Sequence, residues 1–238
     1  MTQTLEAAMS QSFTVIGHRG ARGHAPENTM LALDTGIKLG AHWLEFDVQL
    51  HEGALLLMHD LRLERTTNDK GRLDEHTLAQ LRALDAGQGQ QIPTLEEALD
   101  LIDQRAGVNI EMKSWNGCAA AVARVVRDYV AQGWLLEKFL VSSFHLPELY
   151  ELRQIAPEIP LGVLLCGVPL DWAGCAVELG AATLNIDDEF VDERLLADAH
   201  ARGLKVFVYT VNQAEEIARM KKLGVDGVFT DYPERALA

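Results

Sequence analysis

The chain is short of cysteine, of basic residues and of long apolar runs, and each shortage removes a class of protein. Its three cysteines, Cys118, Cys166 and Cys175, are odd in number and lack Cys-x-x-Cys spacing. Neither a disulfide framework nor a thiolate metal site is therefore expected, and the thiols read as small buried hydrophobes. Lys and Arg number 21 against 35 Asp and Glu, a formal charge of −14. Such a field repels nucleic acid and anionic membrane surfaces, so a polyanionic partner is not expected. A small phosphate ester is not excluded, because a metal and a few local cations reverse the sign within one cleft. No stretch approaches the length of a membrane span. Residues 1–12 carry Glu6 and lack a basic start followed by an apolar core, so no secretory signal is expected. A cytoplasmic, reducing location without stable membrane association follows as an expectation. No internal repeat, linker or low-complexity tract stands out.

What the chain does have is a rhythm. With 48% hydrophobic residues in 238, there is material for one large core and too little for two enzyme domains. Aliphatic or β-branched runs at 13–17, 43–48, 107–112, 139–143, 161–165, 183–186, 205–209 and 227–230 read as strands. Amphipathic stretches at 27–39, 95–102, 119–130, 147–155, 172–179, 194–201 and 215–223 read as helices. Several of these end in glycine, as at Leu39-Gly40, Leu179-Gly180 and Leu223-Gly224. Strands alternating with helices predict a parallel array, and eight of them in this length predict a closed (β/α)8 barrel. Residues 13–238 are expected to form that single domain, after an N-terminal extension at 1–12. One unit is too long. Residues 51–92 are expected to be a small insertion after the second strand, opening with a tight hairpin and holding a short helix near 75–84.

Charged residues sit where apolar runs end. His18-Arg19-Gly20 follows the first strand and His59-Asp60 ends the run Leu55-Leu56-Leu57-Met58. Between them, Glu45 and Asp47 alternate with Phe46 and Val48, so both acids share one strand face while the apolar pair packs the other. Two acids on a buried face repel unless a cation neutralises them. Glu111 and Lys113 repeat the pattern on a later strand. Oxygen donors of this kind suit a hard divalent cation. Arg19 suits phosphate oxygens, which its planar fork binds two at a time.

Each residue also has a plainer reading. A lone histidine at a strand end is commonly structural, a Glu-x-Asp pair can line a wet edge strand, and Glu111 with Lys113 can be a surface ion pair. Asp60 orients His59 or caps the chain, and Glu27 reads as a first-turn dipole partner. His24, His42, His51, His76, His145 and His200 are expected to face solvent. The combination of three acids, two imidazoles and two cations favours a metal-assisted phosphoryl-transfer site.

In order along the chain, His18-Arg19-Gly20, Pro26-Glu27-Asn28-Thr29, Glu45-Phe46-Asp47-Val48, His59-Asp60, Leu63-x-Arg65-Thr66-Thr67, Pro93-Thr94-Leu95, Asn109-Ile110-Glu111-Met112-Lys113, Ser142-Ser143-Phe144, Val208-Tyr209-Thr210-Val211-Asn212 and Gly224-Val225-Asp226-Gly227-Val228-Phe229-Thr230-Asp231 resemble the glycerophosphodiester phosphodiesterases. The resemblance runs nearly end to end and implies the barrel with its insertion. It also implies hydrolysis of glycerophosphodiesters to sn-glycerol 3-phosphate and an alcohol. On matching positions it implies His18 and His59 as general acid and base, Glu45, Asp47 and Glu111 on a metal, and Arg19 and Lys113 near the phosphate. Magnesium is the first expectation from the resemblance, with calcium or manganese as alternatives. Two departures stand out. The hairpin reads His51-Glu52-Gly53, one residue shorter than usual, and Ser114-Trp115 replaces the common proline, which would reshape the alcohol pocket. Two other functions remain: a phosphodiesterase of lysophospholipase D type on the same barrel, and a non-catalytic binder of glycerophosphodiesters.

Overall fold

Strand follows helix in regular succession through the computed structural model, which describes residues 13–115 and 117–237. The expected extension at 1–12 lies outside the described residues. The strands are β1 (Thr14–Gly17), β2 (Trp43–His51), β3 (Ala54–Leu57), β4 (Gly107–Met112), β5 (Phe139–Ser143), β6 (Leu161–Leu165), β7 (Thr183–Asp187), β8 (Lys205–Tyr209) and β9 (Gly227–Thr230). All but β3 pair in parallel, and β1 pairs with both β2 and β9, so eight strands close into a barrel. The helices are α1 (Met30–Lys38), α2 (Leu78–Arg82), α3 (Leu95–Ile102), α4 (Cys118–Ala131), α5 (Leu146–Ile155), α6 (Gly174–Glu178), α7 (Glu193–Ala201), α8 (Ala214–Leu223) and α9 (Pro233–Leu237). Among the described residues no helix is long and apolar enough to cross a membrane.

Alternation within each strand divides the core in two. Phe46 and Val48 of β2 join Val108 and Ile110 of β4 in the layer between barrel and helices. Full burial of a residue such as Phe46 contributes roughly 1.5–3 kcal/mol. The opposite face lines the barrel, where Ile16, Trp43, Leu140, Phe207 and Phe229 fill the interior. Glu45 and Asp47 continue the Trp43 face, so they point into the barrel as the i, i+2 rule requires.

Three expected boundaries move. α1 begins at Met30 rather than residue 27, because Asn28 adopts a left-handed backbone (φ 57°) and Thr29 caps the helix by accepting from the Ala32 amide at 3.2 Å. The expected helix at 172–179 shrinks to α6, since Trp172 is also left-handed (φ 56°). In the insertion, a turn of 3-10 helix at Leu73–Glu75 precedes α2.

The shortened hairpin still does its work. β2 runs on to His51, which pairs with Ala54, leaving Glu52 and Gly53 as a two-residue turn with φ 46° and 82°. Positive φ at both central residues is the primed geometry that matches strand twist. β3 then returns antiparallel to β2. Beyond it, Leu56, Met58, Leu63, Leu73, Leu81 and Ile92 form a small core belonging to the insertion.

Candidate active site

The C-terminal ends of β1, β2, β4 and β9 converge on one set of charged side chains, the barrel end where loops build active sites. β2 and β4 pair in register with Asp47 opposite Glu111 and Glu45 opposite Asn109. The three expected acids are all buried, and oxygens of Glu45, Asp47 and Glu111 lie within 4.8 Å of one another. Glu45 Oε1 is buried with no hydrogen-bond donor among the described residues. Asp47 Oδ1 meets the Lys113 ammonium at 3.3 Å, and Glu111 Oε1 lies against the same ammonium. A hard divalent cation is what such a donor set fits.

The electrostatics follow from that crowding. Burial, then the charges of Asp47 and Glu111, push Glu45 well above the ordinary carboxylate range. Burial and Asp47 push Glu111 up to about 7. Burial presses Asp47 the same way, but Lys113, Arg19, His59 and the Asn28 amide together hold it below its ordinary value. Asn28 is placed for this by its left-handed turn: Nδ2 donates to Asp47 Oδ2 at 2.8 Å, and Oδ1 accepts from the Asp47 amide at 3.2 Å.

Both expected histidines reach the site. His18 follows β1, with Nε2 4.0 Å from Glu45 Oε2 and Nδ1 2.7 Å from Asp231 Oδ1. His59 follows β3; the Met58 amide donates to the Asp47 carbonyl at 3.1 Å and Gln49 Nε2 donates to the His59 carbonyl at 3.1 Å. Its Nδ1 lies 2.5 Å from Asp60 Oδ1. Each imidazole is thus held through Nδ1 by a carboxylate, which leaves Nε2 for chemistry. Burial lowers both imidazoles below the ordinary histidine value, partly offset by the hydrogen bond to Asp231 at His18 and by the charge of Asp47 at His59.

Arg19 and Lys113 arrive beside the acids as well. Arg19 has a left-handed backbone (φ 49°), its amide donates to Glu45 Oε2 at 2.9 Å, and its Nε lies 3.2 Å from Asp47 Oδ2. Glu27, read from sequence as a helix-dipole partner, instead lies before the helix and accepts from Arg19 Nη1 at 2.6 Å. Asp231 and Asn212 have no role legible in the local sequence. Asn212 Nδ2 donates to Asp231 Oδ2 at 2.9 Å. A signal for Asp231 exists: closure of a parallel barrel pairs the first strand with the last, and His18 and Asp231 follow the pair Gly17–Thr230. Trp115 is exposed at the mouth, stacked on His145 with ring centres 4.9 Å apart. His51, His76 and His145 are half-buried rather than solvent-facing, and His51 Nε2 donates to the His76 carbonyl at 2.7 Å.

The profile of the glycerophosphoryl diester phosphodiesterase family matches residues 18–235. The chain belongs to this family. Its enzyme class is therefore that of the phosphodiester hydrolases. A glycerophosphodiester phosphodiesterase of Caldanaerobacter subterraneus subsp. tengcongensis is 36% identical over 234 residues, covering 92% of this chain and 94% of that one. One from Bacillus altitudinis is 34% identical, covering 94% and 96%. Among solved structures, an Oleispira antarctica phosphodiesterase in complex with the product sn-glycerol-3-phosphate superposes with a TM-score of 0.88. It is 34% identical, with 97% of each chain covered.

Proposed function

We propose that this chain hydrolyses glycerophosphodiesters to sn-glycerol 3-phosphate and an alcohol, depends on a divalent cation, and uses His18 and His59 as its proton carriers. The observation that carries the proposal is the buried cluster of Glu45, Asp47 and Glu111 lying between two imidazoles that are each fixed by a carboxylate. The product bound by the Oleispira antarctica relative supports the same substrate class.

A phosphodiester anion resists attack because its charge repels the nucleophile. Glu45, Asp47 and Glu111 would hold the cation, Mg2+ first and Ca2+ or Mn2+ as alternatives, which when bound offsets charge on the non-bridging oxygens. Arg19 and Lys113 add positive charge at the same place, with their own pairing to the acids keeping them inside the site. The imidazole Nε2 atoms do the proton work. One takes the proton of the glycerol hydroxyl next to the ester as its oxygen attacks phosphorus; the other gives a proton to the departing alkoxide. The product of that step is a cyclic diester. In the second step the roles reverse, and water deprotonated by one imidazole opens the ring while the other protonates the glycerol oxygen. Asp231 and Asp60 keep a proton on each Nδ1, so in each step one neutral ring accepts at Nε2 while the other, starting as the imidazolium, gives its proton from Nε2.

Exposed Trp115 and Phe144 at the mouth support a second reading, a reaction of lysophospholipase D type in which the glycerol of the substrate carries an acyl chain. The acidic charge and the three unpaired thiols support a small-molecule substrate and a cytoplasmic setting. The test compares turnover of two substrates, glycerophosphocholine to glycerol 3-phosphate and lysophosphatidylcholine to acylglycerol phosphate, each with magnesium, calcium or manganese. Preference for glycerophosphocholine supports the first reading and preference for the acylated ester the second. Tight binding of both without turnover would make the chain a binder.

A further inference from the structure

Arg65 lies in the insertion, outside the set of acids and imidazoles that the reaction needs, yet all three of its guanidinium nitrogens donate to carboxylates. Its Nε donates to Asp60 Oδ2 at 2.5 Å, while Nη1 and Nη2 donate to the two oxygens of Glu27 at 2.7 and 2.8 Å. One planar fork therefore grips two carboxylates from two different parts of the fold. Asp60 comes from the segment after β3, and Glu27 from the loop between β1 and α1.

What those carboxylates hold gives the grip its meaning. The other oxygen of Asp60 is the one 2.5 Å from His59 Nδ1. Glu27 Oε1 also accepts from Arg19 Nη1, and Arg19 Nε lies 3.2 Å from Asp47 Oδ2. A continuous run of charged contacts thus passes from Asp47 through Arg19, Glu27, Arg65 and Asp60 to His59. His59 follows β3, which lies outside the eight-stranded barrel, pairs with β2 and bridges to Thr94, and then enters the insertion. His18, by contrast, is fixed by barrel closure itself.

We infer that Arg65 is a positioning residue: by clasping Asp60 to Glu27 it fixes the orientation and tautomer of His59 and registers the insertion against the acids of β2. The fork is required as well as the charge, because one ammonium does not offer three donors in a plane. The inference rests on the proposed role of His59 and is tested beside it.

Arg65 is partly exposed and borders a groove of about 530 Å³ lined also by Arg22, Glu27, Asn68 and Asp85, so a small cation can reach its place. The experiment measures kcat and KM for glycerophosphocholine in the wild type, Arg65→Ala, Arg65→Lys and His59→Ala, with circular dichroism confirming the fold. Arg65→Ala should lose roughly 10- to 100-fold in kcat with KM little changed, the span found when a residue that orients a metal-site side chain is removed. Arg65→Lys should recover only part of it. Added guanidinium ion should restore activity to Arg65→Ala and not to His59→Ala. In nitrogen-15 spectra, the single Nδ1-protonated form of His59 should become a mixture of tautomers in Arg65→Ala. If His59→Ala is inactive while folded Arg65→Ala keeps full kcat, the inference fails and the role of His59 stands. If His59→Ala is active, the role of His59 fails and the inference fails with it. A loss of kcat with an unchanged His59 spectrum and no response to guanidinium would make Arg65 a stabilising residue only, and overturn the inference.

Discussion

His18 and Asp231 stand 213 residues apart in sequence, and their side chains meet at 2.7 Å. The contact exists because β1 pairs with β9 at the seam of the barrel, so closing the fold completes one of the two histidine–carboxylate pairs at the acid cluster. Burial of His18 and the charge it would carry are reconciled at this seam: Asp231 favours the imidazolium that burial disfavours.

Asp231→Ala is therefore expected to fold and to fail. Loss of the partner frees the ring to protonate on Nε2, and kcat should fall by about 10²–10⁴-fold, the span that positioned acid–base groups supply. Steady-state kinetics with glycerophosphocholine reads this directly. A folded variant with unchanged kcat would show that the seam contact is structural alone.

The acid cluster makes a prediction that needs no activity. Metal-free protein should gain thermal stability on addition of magnesium, calcium or manganese, by about 2.7 kcal/mol at a hundredfold excess over Kd. Glu45→Gln and Glu111→Gln should lose most of that gain. Calorimetric melts with and without chelator measure it; an identical Tm in both would remove the cation from the site.

Proton and cation compete at Glu111. In the metal-free fold its carboxyl is pushed up to about 7, above the 4.5 of a free side chain. Between those values the folded protein binds more protons than the unfolded chain, so metal-free stability falls as pH rises through this window. Cation binding needs the ionised form and should strengthen over the same interval. Titration calorimetry at about pH 6 and about pH 8 should show tighter binding, with less proton release, at the higher pH. Equal affinity at both would contradict the assignment of Glu111.

Gly20 tests how the His18 loop is seated. Its φ is +88°, and a Cβ there would lie 2.5 Å from the Ala32 carbonyl carbon of α1. Gly20→Ala should cost at least about 1–3 kcal/mol of stability, from the left-handed backbone alone. Denaturant unfolding would show it, and a variant as stable as the wild type would mean that α1 readily moves.

The barrel was legible because its strands are runs whose faces differ: Phe46 and Val48 against Glu45 and Asp47 announce a strand packed on both sides. His18, Arg19, His59, Glu111 and Lys113 were legible for the same reason, as charges at the ends of apolar runs. Partners were harder. That Asp231 meets His18 depends on closure, and that Arg65 reaches Glu27 depends on the path of the insertion. Neither leaves a local pattern. Glu27 was misplaced because Pro26 and the first-turn acid imitate a helix start, while the left-handed turn at Asn28 delays the helix to Met30.

The central claim is that two imidazoles move the protons of phosphodiester cleavage at the acid cluster. Release of sn-glycerol 3-phosphate from glycerophosphocholine, measured for wild type, His18→Ala and His59→Ala with magnesium present, tests it most directly. Both variants should keep the fold and lose about 10²–10⁴-fold or more in kcat. Near-wild-type release by either variant would contradict the account.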